Sequence, residues 1–84
     1  MRLQQPLGTG SIKVVSTSSN PYEIYLDGVY KFDLAGGANR TISNVSTGTH
    51  TVRVLQISGY ILYPTDKTYN VTVQSGYIHT VTFP

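Results

Sequence analysis

The sequence has no cysteine and no tryptophan, and charged residues make up only 12% of its 84 positions. Without cysteine the chain has no disulfide, no thiol nucleophile and no cysteine-ligated metal site. It also lacks any apolar run near the ~20 residues that a membrane-spanning helix needs. Long runs of Ala, Leu, Glu and Lys, which favour helices, are missing too. These absences exclude thiol chemistry and argue against a helical fold.

The basic residues are few and scattered, and they leave a net charge of +2. Nucleic-acid-binding domains carry clustered cations, so nucleic acid is not an expected partner. Residues 1–6 contain no apolar segment of the kind found in signal peptides. A chain of 84 residues corresponds to one domain with a small core.

Strand-forming residues dominate what is present, notably Thr, Tyr, Val and Ile. The strictest pattern runs from Gly48 to Leu55. Val52 and Val54 fall on one face there, while Thr51 and Arg53 fall on the other, at the period of two that marks a half-buried strand. This segment predicts the central strand of a sheet.

Two hairpins are predicted from turn residues between alternating runs. Asp27-Gly28 is a strong two-residue hairpin signal. It predicts that Leu26 pairs with Val29, Tyr25 with Tyr30 and Ile24 with Lys31, and that Ile24, Leu26 and Val29 face the core. An odd-length loop around Ser75-Gly76 keeps apolar residues on one face. It predicts that Val71 pairs with Val81 and Tyr69 with Phe83, with Tyr69, Val71, Val73, Val81 and Phe83 inside.

The remaining segments complete an all-β fold. Residues 11–16 and 41–43 are predicted strands, residues 34–39 an exposed loop, and residues 60–64 an apolar segment partly folded over the end of the core. Turn signals every 8–12 residues predict a small antiparallel β-sandwich of about seven strands, immunoglobulin-like or prealbumin-like. Residues 1–9 are expected to be a flexible leader or expression remnant, and residues 10–84 the sandwich, a module excised from a longer protein.

No catalytic, metal or cofactor site is predicted. His50 and His79 are the only imidazoles, and each is interpreted as a partly buried histidine near a strand end. No serine lies in a strand–turn–helix nucleophile elbow, and no two carboxylates are predicted to face each other across a cleft. The chain is therefore expected not to be an enzyme.

Surface sites are the remaining candidates. Asn39, Asn44 and Asn70 each begin an Asn-x-Ser/Thr sequon and are predicted in loops or on outer faces, where glycosylation occurs. Tyr25 and Tyr30 are predicted to pair on the outer face, as sheet-surface packing or as an interaction patch. The double glycine Gly36-Gly37 is predicted to allow a loop with its own binding specificity.

The order and spacing of five blocks resemble the PEGA domain. They are residues 10–14, 24–28, 48–54, 59–60 and 71–76, and they include Tyr25-Leu26-Asp27-Gly28 and Gly48-Thr49-His50-Thr51-Val52. The chain departs from the family at Asn20-Pro21-Tyr22-Glu23, which replaces the Pro-Glu-Gly-Ala-like entry to the second strand. It also departs at residues 31–41, which are longer than the usual link. PEGA domains are small non-catalytic β-sandwich modules, often repeated, of archaeal surface-layer and bacterial surface proteins, and are sometimes attached to kinases.

This resemblance implies a structural module of a larger extracellular or cell-envelope protein, acting as a rigid spacer that contacts neighbouring domains or other surface proteins. Two alternatives stay open: a carbohydrate- or peptidoglycan-binding module that uses Tyr25 and Tyr30, and an intracellular sensory or scaffold module beside a kinase. No cofactor and no membrane insertion by this segment are expected.

Overall fold

A computed structural model describes residues 8–84, which form seven strands and no helix. The strands are β1 (Thr9–Ser16), β2 (Tyr22–Leu26), β3 (Val29–Leu34), β4 (Asn39–Ser46), β5 (Gly48–Gln56), β6 (Asp66–Val73) and β7 (Ile78–Phe83). β1 thus begins inside the predicted leader, and residues 1–7 of that leader lie outside the described part. The all-β class and the number of strands are confirmed.

The strands form two sheets that pack together as a small β-sandwich. One sheet has the order β4-β1-β7, and the other has the order β3-β2-β5-β6. All neighbouring strands are antiparallel except β1 and β7, which run parallel over six residue pairs. The predicted small antiparallel β-sandwich is confirmed, and β1 with β7 is its one parallel pair in the described residues.

Parallel pairing of β1 with β7 places the beginning of β1 and the end of β7 at opposite ends of the sandwich. At the entry end, the amide of Gly76 donates to the carbonyl of Thr9 (3.0 Å). At the exit end, the amide of Thr17 donates to the carbonyl of Phe83 (2.8 Å). The entry end also holds the β2–β3, β4–β5 and β6–β7 turns, and the exit end holds loops 17–21, 35–38 and 57–65.

The core is built from alternate residues of all seven strands. In β2, every second residue is buried, and Val52 and Val54 of β5 are fully buried. The buried apolar set is Ile12, Val14, Tyr22, Ile24, Leu26, Leu34, Val45, Val52, Val54, Val71, Val73, Val81 and Phe83. The inner face predicted for the Gly48–Leu55 segment is confirmed, because a period of two matches the pleat of a strand.

The Asp27-Gly28 hairpin is confirmed, but its register changes after two pairs. Both turn residues have positive φ (52° and 82°), as a type I′ turn requires. Leu26 pairs with Val29 and Tyr25 with Tyr30, but a bulge then pairs Ile24 with Phe32 rather than with Lys31. Val29 is 58% exposed, contrary to prediction, because β3 is an edge strand with a neighbour on one side only.

The predicted hairpin between β6 and β7 is wrong. β6 pairs with β5 in one sheet, and β7 pairs with β1 in the other, so residues 74–77 cross between the sheets. The predicted inner residues Val71, Val73, Val81 and Phe83 are nevertheless buried, and Tyr69 packs partly against the core. Both strands face the same core from opposite sheets, which preserves the inward faces without the hairpin.

Two loops also differ from prediction. Leu34 belongs to β3 and is 3% exposed, so the β3–β4 loop contains only residues 35–38. The segment at residues 60–64 does not cover the core: Ile61, Leu62 and Tyr63 are 96%, 79% and 83% exposed. The strand side chains already fill the space between the sheets, which leaves these side chains in solvent.

Candidate functional site

One cluster at the entry end contains a serine, a histidine and an aspartate. His50 Nδ1 lies 2.5 Å from Asp27 Oδ2, and His50 Nε2 lies 3.3 Å from Ser46 Oγ and 2.7 Å from the Ser46 carbonyl oxygen. Asp27 Oδ1 also accepts a hydrogen bond from the amide of Thr51 (2.8 Å). These contacts link the β2–β3 turn to β5 and to the end of β4.

The cluster is arranged for a structural contact rather than for nucleophilic catalysis. A general base for Ser46 would need an unprotonated Nε2 aimed at the hydroxyl. In this structure the Ser46 carbonyl is the nearer partner of Nε2, and a carbonyl only accepts, so Nε2 carries a proton. With Asp27 on Nδ1, the protonated ring donates from both nitrogens, and in this state the imidazolium joins two turns.

The contact between His50 and Asp27 raises the pKa of the histidine and lowers the pKa of the aspartate. The hydrogen bond to Asp27 raises the pKa of His50 above 6.5, and the Ser46 carbonyl adds to this rise. The hydrogen bonds from His50 and from the amide of Thr51 lower the pKa of Asp27 below 3.8. His50 therefore remains protonated at a higher pH in the folded chain than in the unfolded chain.

We expect a small loss of stability as the pH rises through the folded pKa of His50. Its pKa is raised by folding, so its contribution is complete below about pH 6.5 and disappears above the folded value. Asp27 contributes above pH 3.8 and loses its contribution as the pH falls. The exposed side chain of Asp27 limits the effect to roughly 1 kcal/mol or less.

The test is an NMR titration of His50 in the wild type and in Asp27→Asn. Asparagine also tolerates the positive φ of this turn, so the variant removes the charge and keeps the hairpin. The pKa of His50 should fall toward its ordinary value in the variant, and the urea midpoint should lose its dependence on pH between 5 and 8. An unchanged pKa would contradict the proposed contact.

Tyr25 and Tyr30 form the predicted cross-strand pair. Their rings meet edge to face at 5.8 Å with an interplanar angle of 72°. The Tyr25 hydroxyl donates to Glu23, and the Tyr30 hydroxyl donates to Asp33, both at 2.8 Å. The Arg53 guanidinium lies 5.4 Å from the Tyr25 ring centroid. Because the rings are steeply inclined to each other, they do not form a flat stacking platform.

Gly36 and Gly37 are explained by packing and backbone geometry. A β-carbon on Gly36 would lie 2.3 Å from the carbonyl carbon and oxygen of Ser19, so only glycine fits. Gly37 has a φ of +73°, and its amide donates to the Ser18 carbonyl (2.8 Å). The loop therefore packs on loop 17–21 and is not a free flexible segment. Its role as an interaction surface stays a prediction.

The three sequon asparagines are all exposed. Asn39 begins β4, Asn44 lies in the same strand with a positive φ of 59°, and Asn70 lies on the outer face of β6. Exposure agrees with the predicted context for glycosylation, and glycosylation itself stays a prediction.

The structure adds two surface features, of which the sequence predicted only that residues 60–64 are apolar. The first is the apolar loop, defined as Tyr60, Ile61, Leu62 and Tyr63, which projects at the exit end. The second is a hollow of about 180 Å³ at the entry end, here called the entry hollow, lined by Thr72, Gln74, Tyr77, Ile78 and His79. His79 Nδ1 lies 3.2 Å from the Thr72 carbonyl. The sequence shows that residues 60–63 are apolar, but it does not show whether other strands cover them.

Within residues 8–84, no group of three His, Asp or Glu side chains could hold a metal ion. The same residues include no helix that is long and apolar enough to cross a membrane. Comparisons with protein-family models, curated proteins and solved structures found no match for this chain.

Proposed function

We propose that the chain is a non-catalytic, PEGA-like spacer and contact module of a larger cell-surface or cell-envelope protein. The observation that carries the proposal is the parallel pairing of β1 with β7, from Ser11 with Ile78 to Ser16 with Phe83. A polypeptide that enters beside β1 and leaves after β7 passes through the module from end to end. Such a module separates its neighbours by its full length.

The same pairing resists tension. Pulling on the two ends of the chain slides β1 and β7 along each other, so the hydrogen bonds of this ladder bear the load together. Pulling both strands apart at the entry end would instead break the bonds one after another. The module is therefore expected to unfold at a much higher force when it is pulled by the two ends of the chain than when β1 and β7 are pulled apart at the entry end.

Single-molecule pulling tests this expectation, and the absence of cysteine lets thiol handles be placed at will. The variant Thr9→Cys/Pro84→Cys loads the β1–β7 ladder lengthwise, whereas Thr9→Cys/Ser75→Cys pulls from the entry end only. We expect a several-fold higher unfolding force for the first pair of handles. Equal forces would remove the main support for a load-bearing spacer.

Placement at the cell surface is tested by the sequence that flanks the domain in its parent protein. A signal peptide, further copies or a membrane anchor would support the proposal. A flanking kinase domain would favour the intracellular scaffold alternative. For the carbohydrate-binding alternative, specific binding on a glycan array that disappears in Tyr30→Ser would favour that function over the spacer.

A further inference from the structure

The free edge of β7 is the least protected sheet edge in the described part of the chain. β7 pairs with β1 on one side and ends the β4-β1-β7 sheet on the other. Its residues, Ile78–Phe83, include no Asp, Glu, Lys, Arg or Pro, and no bulge interrupts their register with β1. Charges, prolines and bulges are the devices by which natural proteins keep an edge strand from pairing with another chain.

The other three edge strands of residues 8–84 all carry such devices. β3 contains Lys31 and Asp33 and is bulged against β2. β4 shifts its register against β1 and contains Asn44 at a positive φ of 59°. β6 has a charge on its inward side, because Lys67 lies opposite the buried Val54. β7 alone is left available for a partner strand.

The backbone of β7 presents pairing groups at its free edge. The amide of Ser11 in β1 donates to the carbonyl of Tyr77 (2.9 Å), so the odd-numbered residues at this end face β1. Successive residues of a strand direct their N–H and C=O groups to opposite edges. Three residues of β7 therefore each offer one donor and one acceptor at the free edge: Ile78, Thr80 and Thr82.

The surroundings of this edge are basic. The β4-β1-β7 sheet contains Lys13 and Arg40 but no acidic residue. Lys13 pairs with Thr80, so its side chain lies on the outer face directly beside β7. Arg40 is instead held over the ring of Phe32, 4.4 Å from the centroid, beside the opposite edge. A cation next to an edge without acids favours a partner strand with acidic side chains.

The entry hollow continues this edge toward the entry end. Four of its five lining residues have hydrogen-bonding side chains, namely Thr72, Gln74, Tyr77 and His79. A volume of about 180 Å³ is below the roughly 300–1,000 Å³ typical of small-molecule pockets, and it suits one polar side chain. When a peptide strand adds to a sheet edge, main-chain hydrogen bonds supply the affinity and pockets for alternate side chains supply the specificity.

We propose that the free edge of β7 binds an extended acidic peptide segment of a partner protein by strand addition. The proposal rests on the contact role in the proposed function and names its surface and the chemistry of its partner. The added strand pairs with the free backbone groups of Ile78, Thr80 and Thr82. Its acidic side chains face Lys13, and one polar side chain enters the entry hollow. A second copy of the chain offers the same cations at this edge, so like charges disfavour self-pairing.

The first measurement is an NMR titration of the full chain with three synthetic octapeptides. They alternate threonine with glutamate, with lysine or with glutamine, and are added up to millimolar concentration. The glutamate peptide should shift the amide signals of residues 78–83 and slow hydrogen exchange at the free-edge amides. It should bind several-fold more tightly than the lysine peptide.

Three results of this titration would overturn the proposal. The first is the absence of shifts in β7 with the glutamate peptide, and the second is equal affinity for the lysine peptide. The third is a set of shifts in β7 that depends on the concentration of the chain without any peptide, which would show that the edge pairs with a second copy.

The second measurement repeats the titration with a proline at the edge. Thr80→Pro removes a free-edge N–H and takes no hydrogen bond from the β1–β7 ladder, which is where strands tolerate proline. Thr41→Pro is the matched control, because the amide of Ser16 donates to the carbonyl of Ala38 (2.9 Å) and places the N–H of Thr41 at the free edge of β4. Should Thr80→Pro fail to keep its melting temperature, Thr82→Pro takes its place.

The proline in β7 should weaken binding of the glutamate peptide by about tenfold or more, through a lost hydrogen bond and a clash of the ring. The proline in β4 should leave binding unchanged. Equal affinities for the two variants would overturn the assignment to β7.

The third measurement removes the cation beside the edge. Lys13→Gln should weaken the glutamate peptide several-fold and leave the glutamine peptide unchanged. Lys31→Gln, with the same change in charge on the edge strand β3, is the control and should have no effect. Equal losses in the two variants would show general charge attraction and would overturn the contact with Lys13. The pulling experiment depends on the β1–β7 ladder alone, so the spacer function can stand when peptide binding fails.

Discussion

Replacing Phe83 with alanine is expected to lower the free energy of unfolding by about 3–5 kcal/mol. The side chain is 1% exposed and meets Tyr22 edge to face, with ring centroids 5.0 Å apart. These two rings join the two sheets at the exit end, where a smaller residue would leave a cavity. A domain of 84 residues has a total stability of roughly 4–13 kcal/mol, so this single change removes a large share of it.

Urea denaturation measures this loss as a fall in the transition midpoint, with the slope unchanged if unfolding remains two-state. The matched control is Tyr77→Ala, which also removes an aromatic ring but at a site that is 68% exposed. It should change stability by no more than about 0.5 kcal/mol. Equal losses for the two variants would show that Phe83 is not part of the contact between the sheets.

Replacing Gly36 with alanine is expected to destabilise the fold by about 1–3 kcal/mol. The new β-carbon would lie 2.3 Å from backbone atoms of Ser19, and a backbone cannot move aside as a flexible side chain can. Loop 35–38 would separate from loop 17–21, and the hydrogen bond from Gly37 to Ser18 would lengthen. Urea midpoints and amide exchange at Gly37 measure both effects.

Substitutions at the two neighbouring positions, 35 and 37, serve as controls that distinguish the clash at Gly36 from other causes of lost stability. Gly37→Ala meets no atom within 4 Å and should cost about 1–2 kcal/mol through its positive φ alone, without shifting the amide signal of Ser19. Ala35→Ser is exposed and should be nearly neutral. A displaced Ser19 signal in Gly36→Ala alone would support the close approach, and an unaffected Ser19 would contradict it.

The inward face of each strand was predictable, but the neighbour of each strand was not always so. Val71, Val73, Val81 and Phe83 were placed inside by their period of two, and they are buried. Their predicted hairpin is wrong, because β6 and β7 belong to different sheets. Alternation depends only on the pleat of a strand, whereas pairing depends on which other strand offers backbone hydrogen bonds across the whole fold.

The candidate sites show the same division. Asp27-Gly28 was assigned to its turn from local chemistry, and both residues adopt the positive φ that this turn needs. The contact of Asp27 with His50 spans 23 positions and required the β2–β5 pairing to bring the two together. Gly36 and Gly37 predicted an open loop, because glycine allows many backbone conformations. The sequence does not show that the backbone of Ser19 packs against Gly36.

By itself, the sequence determined the all-β class, seven strands, the Asp27-Gly28 turn and the inner face of β5. These features follow from interactions between residues close in the chain. Only the tertiary structure decided that β1 runs parallel to β7 and that residues 60–63 lie in solvent. It also decided that the backbone of Ser19 lies too close to position 36 for any residue but glycine. Each of these depends on contacts or on available space between distant segments, which no local pattern encodes.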